Sequence, residues 1–166
     1  MPKVELREIS PANLRTILEL RVSETQRNFV ASNAFSIAEA YFYPEAWFRA
    51  IYADDAPAGF VMLWDEHLRE SPVQIGHYYL WRFMIDARFQ GKGIGREAIR
   101  LLVNHVRTRP HAAHLLLSHS EGDGNPGPFY QRLGFVYTGK ITDGELEMRL
   151  DLNNAAFDDQ SPLQAE

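Results

Sequence analysis

The segment Gln90-Gly91-Lys92-Gly93-Ile94-Gly95-Arg96 constrains this chain more than any other. It follows an apolar run at 81–85. It opens a helical pattern at 94–106 in which Ile99, Leu102, Val103 and Val106 recur on one face. A strand that turns on glycines straight into a helix leaves backbone N–H groups unpaired at the helix N-terminus. Those donors, together with the positive end of the helix dipole, make a site for a pyrophosphate. Glycine lets such a ligand reach the backbone where a side chain would block it. Two common phosphate loops are excluded by spacing. A dinucleotide fingerprint needs G-x-G-x-x-G and an acidic residue about 20 positions later. Here the glycines run G-x-G-x-G, and the region 107–110 is basic. A P-loop needs G-x-x-x-x-G-K-[ST], and the chain has no such string.

The rest of the chain alternates strand and helix patterns. Strands are predicted at 4–9, 50–53, 57–64, 75–85, 114–118, 135–140 and 145–152. A helix is predicted from Ser10-Pro11, with Ser10 as N-cap and Leu14, Ile17, Leu18 and Val22 as its apolar face. A second is predicted at 35–43, stopped near Pro44. A short one at 129–133 has Gly134 as its C-cap. Asp54-Asp55 and Asp143-Gly144 read as hairpin turns. The polar stretches 65–72 and 121–128 read as loops. The pattern predicts a mixed α/β sandwich, one domain over 1–152, with a polar tail at 153–166.

Composition narrows the function. The chain of 166 residues is long enough to bury one core. It has no cysteine, which excludes disulfides, cysteine zinc sites and an acyl-cysteine intermediate. His111 and His114 flank a proline-bounded turn without an acidic partner, so no metal site is expected. A net charge of −5 argues against nucleic acid as partner and suits a cationic substrate. No apolar run approaches the roughly 20 residues that span a bilayer, and the N-terminus has no signal-peptide pattern. A cytoplasmic protein with no membrane partner is the expectation.

Two motifs in order carry a family resemblance. The first is the Q-x-x-G-x-G string at 90–95. The second, about 40 residues on, is Phe129-Tyr130-Gln131-Arg132-Leu133-Gly134-Phe135, with a strand-like run between. Together they resemble the coenzyme A loop and the F-Y-x-x-L-G-F signature of the Gcn5-related N-acetyltransferases, the GNAT superfamily. The segments Arg21-Val22-Ser23-Glu24-Thr25-Gln26, Ser36-Ile37-Ala38-Glu39-Ala40-Tyr41 and Glu147-Met148-Arg149-Leu150 resemble the bacterial spermine/spermidine acetyltransferase branch. The resemblance implies a GNAT-like mixed sheet of six to seven strands flanked by helices. It implies acetyl-CoA as cosubstrate, no metal, a small-molecule amine as acceptor, and compatibility with a homodimer.

Acetyl transfer from a thioester to an amine requires four things. The cofactor must be held, its carbonyl polarised, the amine deprotonated and the thiolate protonated. The backbone of Gln90, Gly91, Lys92, Gly93, Ile94, Gly95 and Arg96 would hold the pyrophosphate, with Lys92 and Arg96 adding charge. The resemblance implies that the backbone of Met84 and Ile85 pairs with the pantetheine arm, while their side chains are core. A backbone N–H there would polarise the carbonyl. Asn125 and Phe129 complete the implied cofactor contacts. Tyr130 is the candidate general acid, a phenol suited to donate to a departing thiolate. The family's acidic residue on the strand before the loop is missing from His77-Tyr78-Tyr79-Leu80-Trp81-Arg82-Phe83. That leaves Glu24, Glu39, His77 and His119 as candidates for the base. Of these, Glu24 is the catalytic candidate, and Glu24, Glu39 and His77 are the candidates for binding the acceptor. The resemblance makes polyamine acetylation the leading expectation. The alternatives are the same chemistry on an aminoglycoside, an amino acid or a protein N-terminus, and a non-catalytic acyl-CoA sensor.

Overall fold

The computed structural model describes residues 1–153. In chain order the elements are β1 (Val4–Arg7), α1 (Leu14–Glu19), α2 (Asn33–Ala40), β2 (Ala46–Ala53), β3 (Ala56–Asp65), β4 (Tyr78–Ile85), α3 (Ile94–Arg107), β5 (His114–Ser120), α4 (Gly127–Arg132), β6 (Val136–Thr142) and β7 (Glu145–Asp151). The strands form one seven-stranded sheet in the order β1-β2-β3-β4-β5-β7-β6. Neighbours are antiparallel except β4 and β5, which are parallel. This is the predicted mixed α/β class. The tail predicted at 153–166 lies, from 154 onward, outside the described residues.

Each face of the sheet is closed by helices, and the sequence periods show why. In α3 the residues Ile94, Ala98, Ile99, Leu102, Val103 and Val106 are all buried, a helical stripe laid on one face. On the other face Ile17, Leu20 and Ala40 from the α1–α2 region pack on Ala50, Tyr52, Phe60, Met62 and Met84. The β6–β7 turn has Asp143 at φ 52° and Gly144 at φ 80°, the paired positive values of a tight hairpin turn that Asp-Gly favours.

The strand predicted at 50–53 begins at Ala46, the helix predicted at 35–43 is Asn33–Ala40, and the strand predicted at 75–85 begins at Tyr78. Three further local predictions shift. The first helix begins at Leu14 rather than at Pro11. Asn13 takes over the turn: its Oδ1 accepts the Ser10 N–H at 2.8 Å, and its Nδ2 donates to the Glu8 carbonyl at 3.1 Å. A short amide bonding its neighbours competes with helix at that point. The helix ends at Glu19, so Val22 lies beyond it and Leu20 is buried instead. The stretch read as a polar loop at 65–72 begins with a tight 3₁₀ turn, Glu66–Leu68, and both Asp65 and Glu66 are buried. Arg109 Nε reaches Asp65 Oδ2 at 2.6 Å. Glu66 accepts from the Trp64 indole, the Val73 and Gln74 N–H groups and Arg69. The stretch is polar, yet its carboxylates organise the loop from inside.

The feature that positions the site is a fork between β4 and β5. Those strands share a single residue pair, Tyr79 with Leu116. In the β3–β4 ladder Met62 stands opposite Arg82 and Leu63 opposite Leu80, so Trp81 is the extra residue of a bulge. A bulge bends and twists its strand, and β4 diverges from β5 beyond it. Residues 81–85 then have β3 on one edge and, among the described residues, no strand on the other.

Candidate active site

The turn between β4 and α3 is fixed by side chains that point away from it. Asp86 ends β4. Its carboxylate accepts the backbone N–H groups of Arg88 and Arg21, both at 3.0 Å, and the Arg88 Nε at 2.7 Å. Burial alone would push this acid up, but Arg88 and those N–H groups hold it below the usual carboxylate range. Gln90 turns inward: its Nε2 donates to the Ile85 carbonyl at 2.8 Å and to Gln26 Oε1 at 2.7 Å. The side chain therefore anchors the loop to the strand end and to the Glu24–Gln26 turn.

The loop itself is left open. No backbone N–H from 91 to 96 has a hydrogen-bond partner among the described residues. The first paired one is that of Glu97, to the Gly93 carbonyl at 3.1 Å. Gly91 has φ 71° and Gly93, the N-cap of α3, has φ 78°, values that glycine adopts without strain. Gly95 serves differently. A Cβ there would meet the Phe129 ring at 3.3 Å, so its role is the close approach of α4 to α3. Glu97, the acid in the first turn of α3, is paired with Arg100 at 2.9 Å. Lys92 is exposed, with Nζ on the Arg88 carbonyl at 2.8 Å. Arg96 is exposed and has no ion-pair partner among the described residues. Unpaired donors, a helix N-terminus and two exposed cations fit an anionic pyrophosphate.

The fork lies beside this loop. Met84 and Ile85 are both core by side chain, on opposite faces of the sheet, which leaves only their backbone available. Phe129 stacks on Phe83 with centroids 6.1 Å apart and packs against Gly95, and so closes the space between α3, α4 and β4. Tyr130 is 7% exposed, edge-on to Phe129 and Phe135. Burial, and secondarily the nearby Tyr79, pushes its phenol above the ordinary tyrosine value, so it stays protonated. Its hydroxyl has no hydrogen-bond partner among the described residues. Asn125 spends both ends of its amide on the turn before α4: it accepts the Gly127 N–H at 2.9 Å and donates to the Gly122 carbonyl at 2.8 Å.

The acceptor candidates separate. Glu24 sits on an exposed 3₁₀ turn, 3.5 Å from Arg27. Glu39 reaches across from α2 to Arg82, Nη2 to Oε2 at 3.3 Å, so its charge is matched. His77 precedes β4, stacked near Tyr79; burial holds it below the ordinary histidine value, partly offset by Glu66 and Glu147. His119 is buried with both ring nitrogens engaged, Nδ1 at 2.9 Å from the Ser120 carbonyl and Nε2 at 3.0 Å from the Tyr137 hydroxyl. That removes it as an accessible base. Sequence reasoning passed over Asp86, Gln26, Arg82, Tyr79 and Glu147. Period-two alternation along β4 puts Tyr79 and Trp81 on one face; the bulge then hides that Arg82 shares it.

Residues 14–135, well over half of the chain, match the family model of the GNAT acetyltransferases. The chain belongs to that family and is an acetyltransferase. A curated relative, the spermine/spermidine N(1)-acetyltransferase of Bacillus subtilis strain 168, is 28% identical over 156 residues, covering 90% of this chain and 99% of the relative. The fold is similar to that of the aminoglycoside acetyltransferase AAC(6')-Ib, solved in complex with coenzyme A. The TM-score is 0.72 at 17% identity, over 94% of this chain and 98% of that one. It is also similar to the PaiA N-acetyltransferase of Thermoplasma acidophilum, solved with coenzyme A, at TM-score 0.64 and 16% identity over 90% and 99%. Among the described residues no group of His, Cys, Asp or Glu could hold a metal ion, and no helix is long and apolar enough to cross a membrane.

Proposed function

We propose that the protein moves acetyl from acetyl-CoA to a primary amine of a small polyamine such as spermidine, by direct attack in a ternary complex. The observation that carries this is the run of unpaired N–H groups at 91–96 beside the open edge of β4. The loop would bind the pyrophosphate. The free edge at 81–85 would pair with the amide-bearing pantetheine arm as a strand would. A backbone N–H on that edge, aimed at the thioester oxygen, would stabilise charge as it develops there. Tyr130 would donate to the departing sulfur. The acceptor would enter from the face of α2, where Tyr43, Trp64 and Trp81 cluster with centroids 5.5–5.6 Å apart. Aromatic rings of this kind attract ammonium groups. The relatedness to spermine/spermidine acetyltransferases supports the polyamine class.

One observation favours a second acceptor class. Arg82 stands on the same face with its Nε buried and unpaired, and an unpaired buried donor is costly. An amine that also carries a carbonyl or carboxylate would satisfy it. Initial rates across an amine panel separate the two: spermidine and spermine should give the highest kcat/KM, and amino-acid amides the highest if Arg82 decides. Intersecting double-reciprocal plots are expected, and parallel ones would contradict direct attack. Binding of acetyl-CoA without turnover on any amine would mark a sensor.

A further inference from the structure

Neither helical carboxylate is well placed to take the acceptor's proton, because Glu39 is committed to Arg82 and Glu24 is 87% exposed beside Arg27. Strand β4 has none before Asp86. A carboxylate from a different strand, two places along the sheet from β4, nevertheless lies on the same face as the fork. Ser118 lies two residues past Leu116, on the edge of β5 that β4 has left. Directly across the β5–β7 ladder from Ser118 stands Glu147. Residues paired in this way project to the same face. The Tyr79 phenol lies beside the Ser118 side chain on that face. It is in electrostatic reach of Glu145, of Glu147 and of Tyr130. Glu147 is 18% exposed at its side chain. Thr138 Oγ1 donates to its Oε1 at 2.9 Å, and Lys140 Nζ, on a lysine 66% exposed, is 3.7 Å from its Oε2. A carboxylate oriented by one hydroxyl and loosely approached by one lysine keeps lone pairs for a ligand.

We propose that Glu147 is the general base, which takes the proton of the acceptor ammonium at the fork. The proposal rests on acetyl transfer to an amine but is independent of which amine. The step balances. The ammonium gives one proton to Glu147, and its nitrogen then bonds to the thioester carbon as the carbon–sulfur bond breaks. Tyr130 gives its phenolic proton to the departing sulfur and regains one from the acylated nitrogen. Glu147 releases its proton to water. The groups around Glu147 that bear on its charge are Lys140 on β6, Glu145 and Arg149 on β7, and Tyr79 and His77 on the β4 side.

The test is Glu147→Gln, which keeps the shape and the oxygen that accepts from Thr138. Measured are kcat/KM for spermidine and for a monoamine from neutral pH up to the amine's own pKa, and acetyl-CoA affinity by titration. General-base loss is expected to lower kcat/KM about 10²-fold or more at neutral pH. The deficit should close by about tenfold per pH unit, following the fraction of neutral amine, with acetyl-CoA affinity unchanged. A loss equal at every pH, or a raised KM for spermidine alone, would overturn the proposal. If Glu147→Gln does not fold, Thr138→Val replaces it. A smaller deficit that also closes at high pH is expected, and unchanged kinetics would overturn the proposal. A wild-type protein that releases no thiol with any amine would refute the acetyl-transfer reading instead, a distinguishable result.

Discussion

Replacing Gly93 with valine separates cofactor binding from folding. Gly93 sits at φ 78°, in the left-handed region. There a side chain costs roughly 1–2 kcal/mol, and a β-branched one is a true outlier. The new Cβ would stand 3.0 Å from the Met1 sulfur, the end of a side chain on a residue 82% exposed, which can move aside. The stability loss should therefore stay near 2 kcal/mol. Affinity should suffer more. The backbone either keeps its conformation and carries a branched side chain into the anion's path, or relaxes and misaims its N–H groups. Losing one charge-assisted hydrogen bond, at about 1.5–3 kcal/mol, corresponds to a tenfold to hundredfold weaker acetyl-CoA complex. Gly95→Ala is the control. It has ordinary helical φ, gains roughly 0.5–1 kcal/mol of helix propensity, and asks Phe129, 3.3 Å away, to give by a few tenths of an ångström. Its stability and affinity should both stay close to wild type. Calorimetric titration after circular dichroism confirms folding is the assay. Unchanged affinity in folded Gly93→Val would refute the placement of the pyrophosphate.

Tyr130→Phe deletes one hydroxyl that has no partner in the structure, so stability and acetyl-CoA affinity should hold while turnover falls at least about tenfold; wild-type turnover would make Tyr130 structural. Glu39→Gln strips Arg82 of its counter-charge on the acceptor face, so the KM for spermidine should rise several-fold while that for a neutral-tailed monoamine rises less, and equal effects on both would assign the pair to the fold. Glu66 is pulled two ways: burial raises it, but the Val73 N–H, the Trp64 indole and the Gln74 N–H hold it at about 2, against an ordinary value of 4.5. A depressed acid stabilises fully above its unfolded value and loses that stabilisation as pH falls through the folded one. Thermal stability should therefore decline as pH drops from about 4.5 toward 2, and Glu66→Gln should flatten that part of the curve. A decline just as steep in the variant would assign it to other carboxylates.

Much of the fold was legible because it is written in short-range patterns. The stripe of α3 and the Asp-Gly hairpin are local, and each lies close to where its pattern put it. The start of the first helix was not legible, because Asn13 outcompeted Ser10-Pro11 through its own side chain. The site divides along the same line. The glycine turn and Tyr130 are motif residues visible in sequence. What the sequence concealed depends on contacts between distant segments. The side chain of Gln90, within the glycine motif, holds Ile85 and Gln26. Glu39 looks like a free acid but holds Arg82. Glu147 shares a face with Ser118, and through it with Tyr79, only because β7 inserts beside β5 in the sheet.

Acetyl transfer to a polyamine is measured by thiol release from acetyl-CoA, followed with spermidine and without it, alongside mass analysis of the amine. Saturable thiol release that requires the amine and matches N-acetylspermidine mole for mole is expected. Release at the same rate without any amine, or none with the whole amine panel despite tight acetyl-CoA binding, would contradict it.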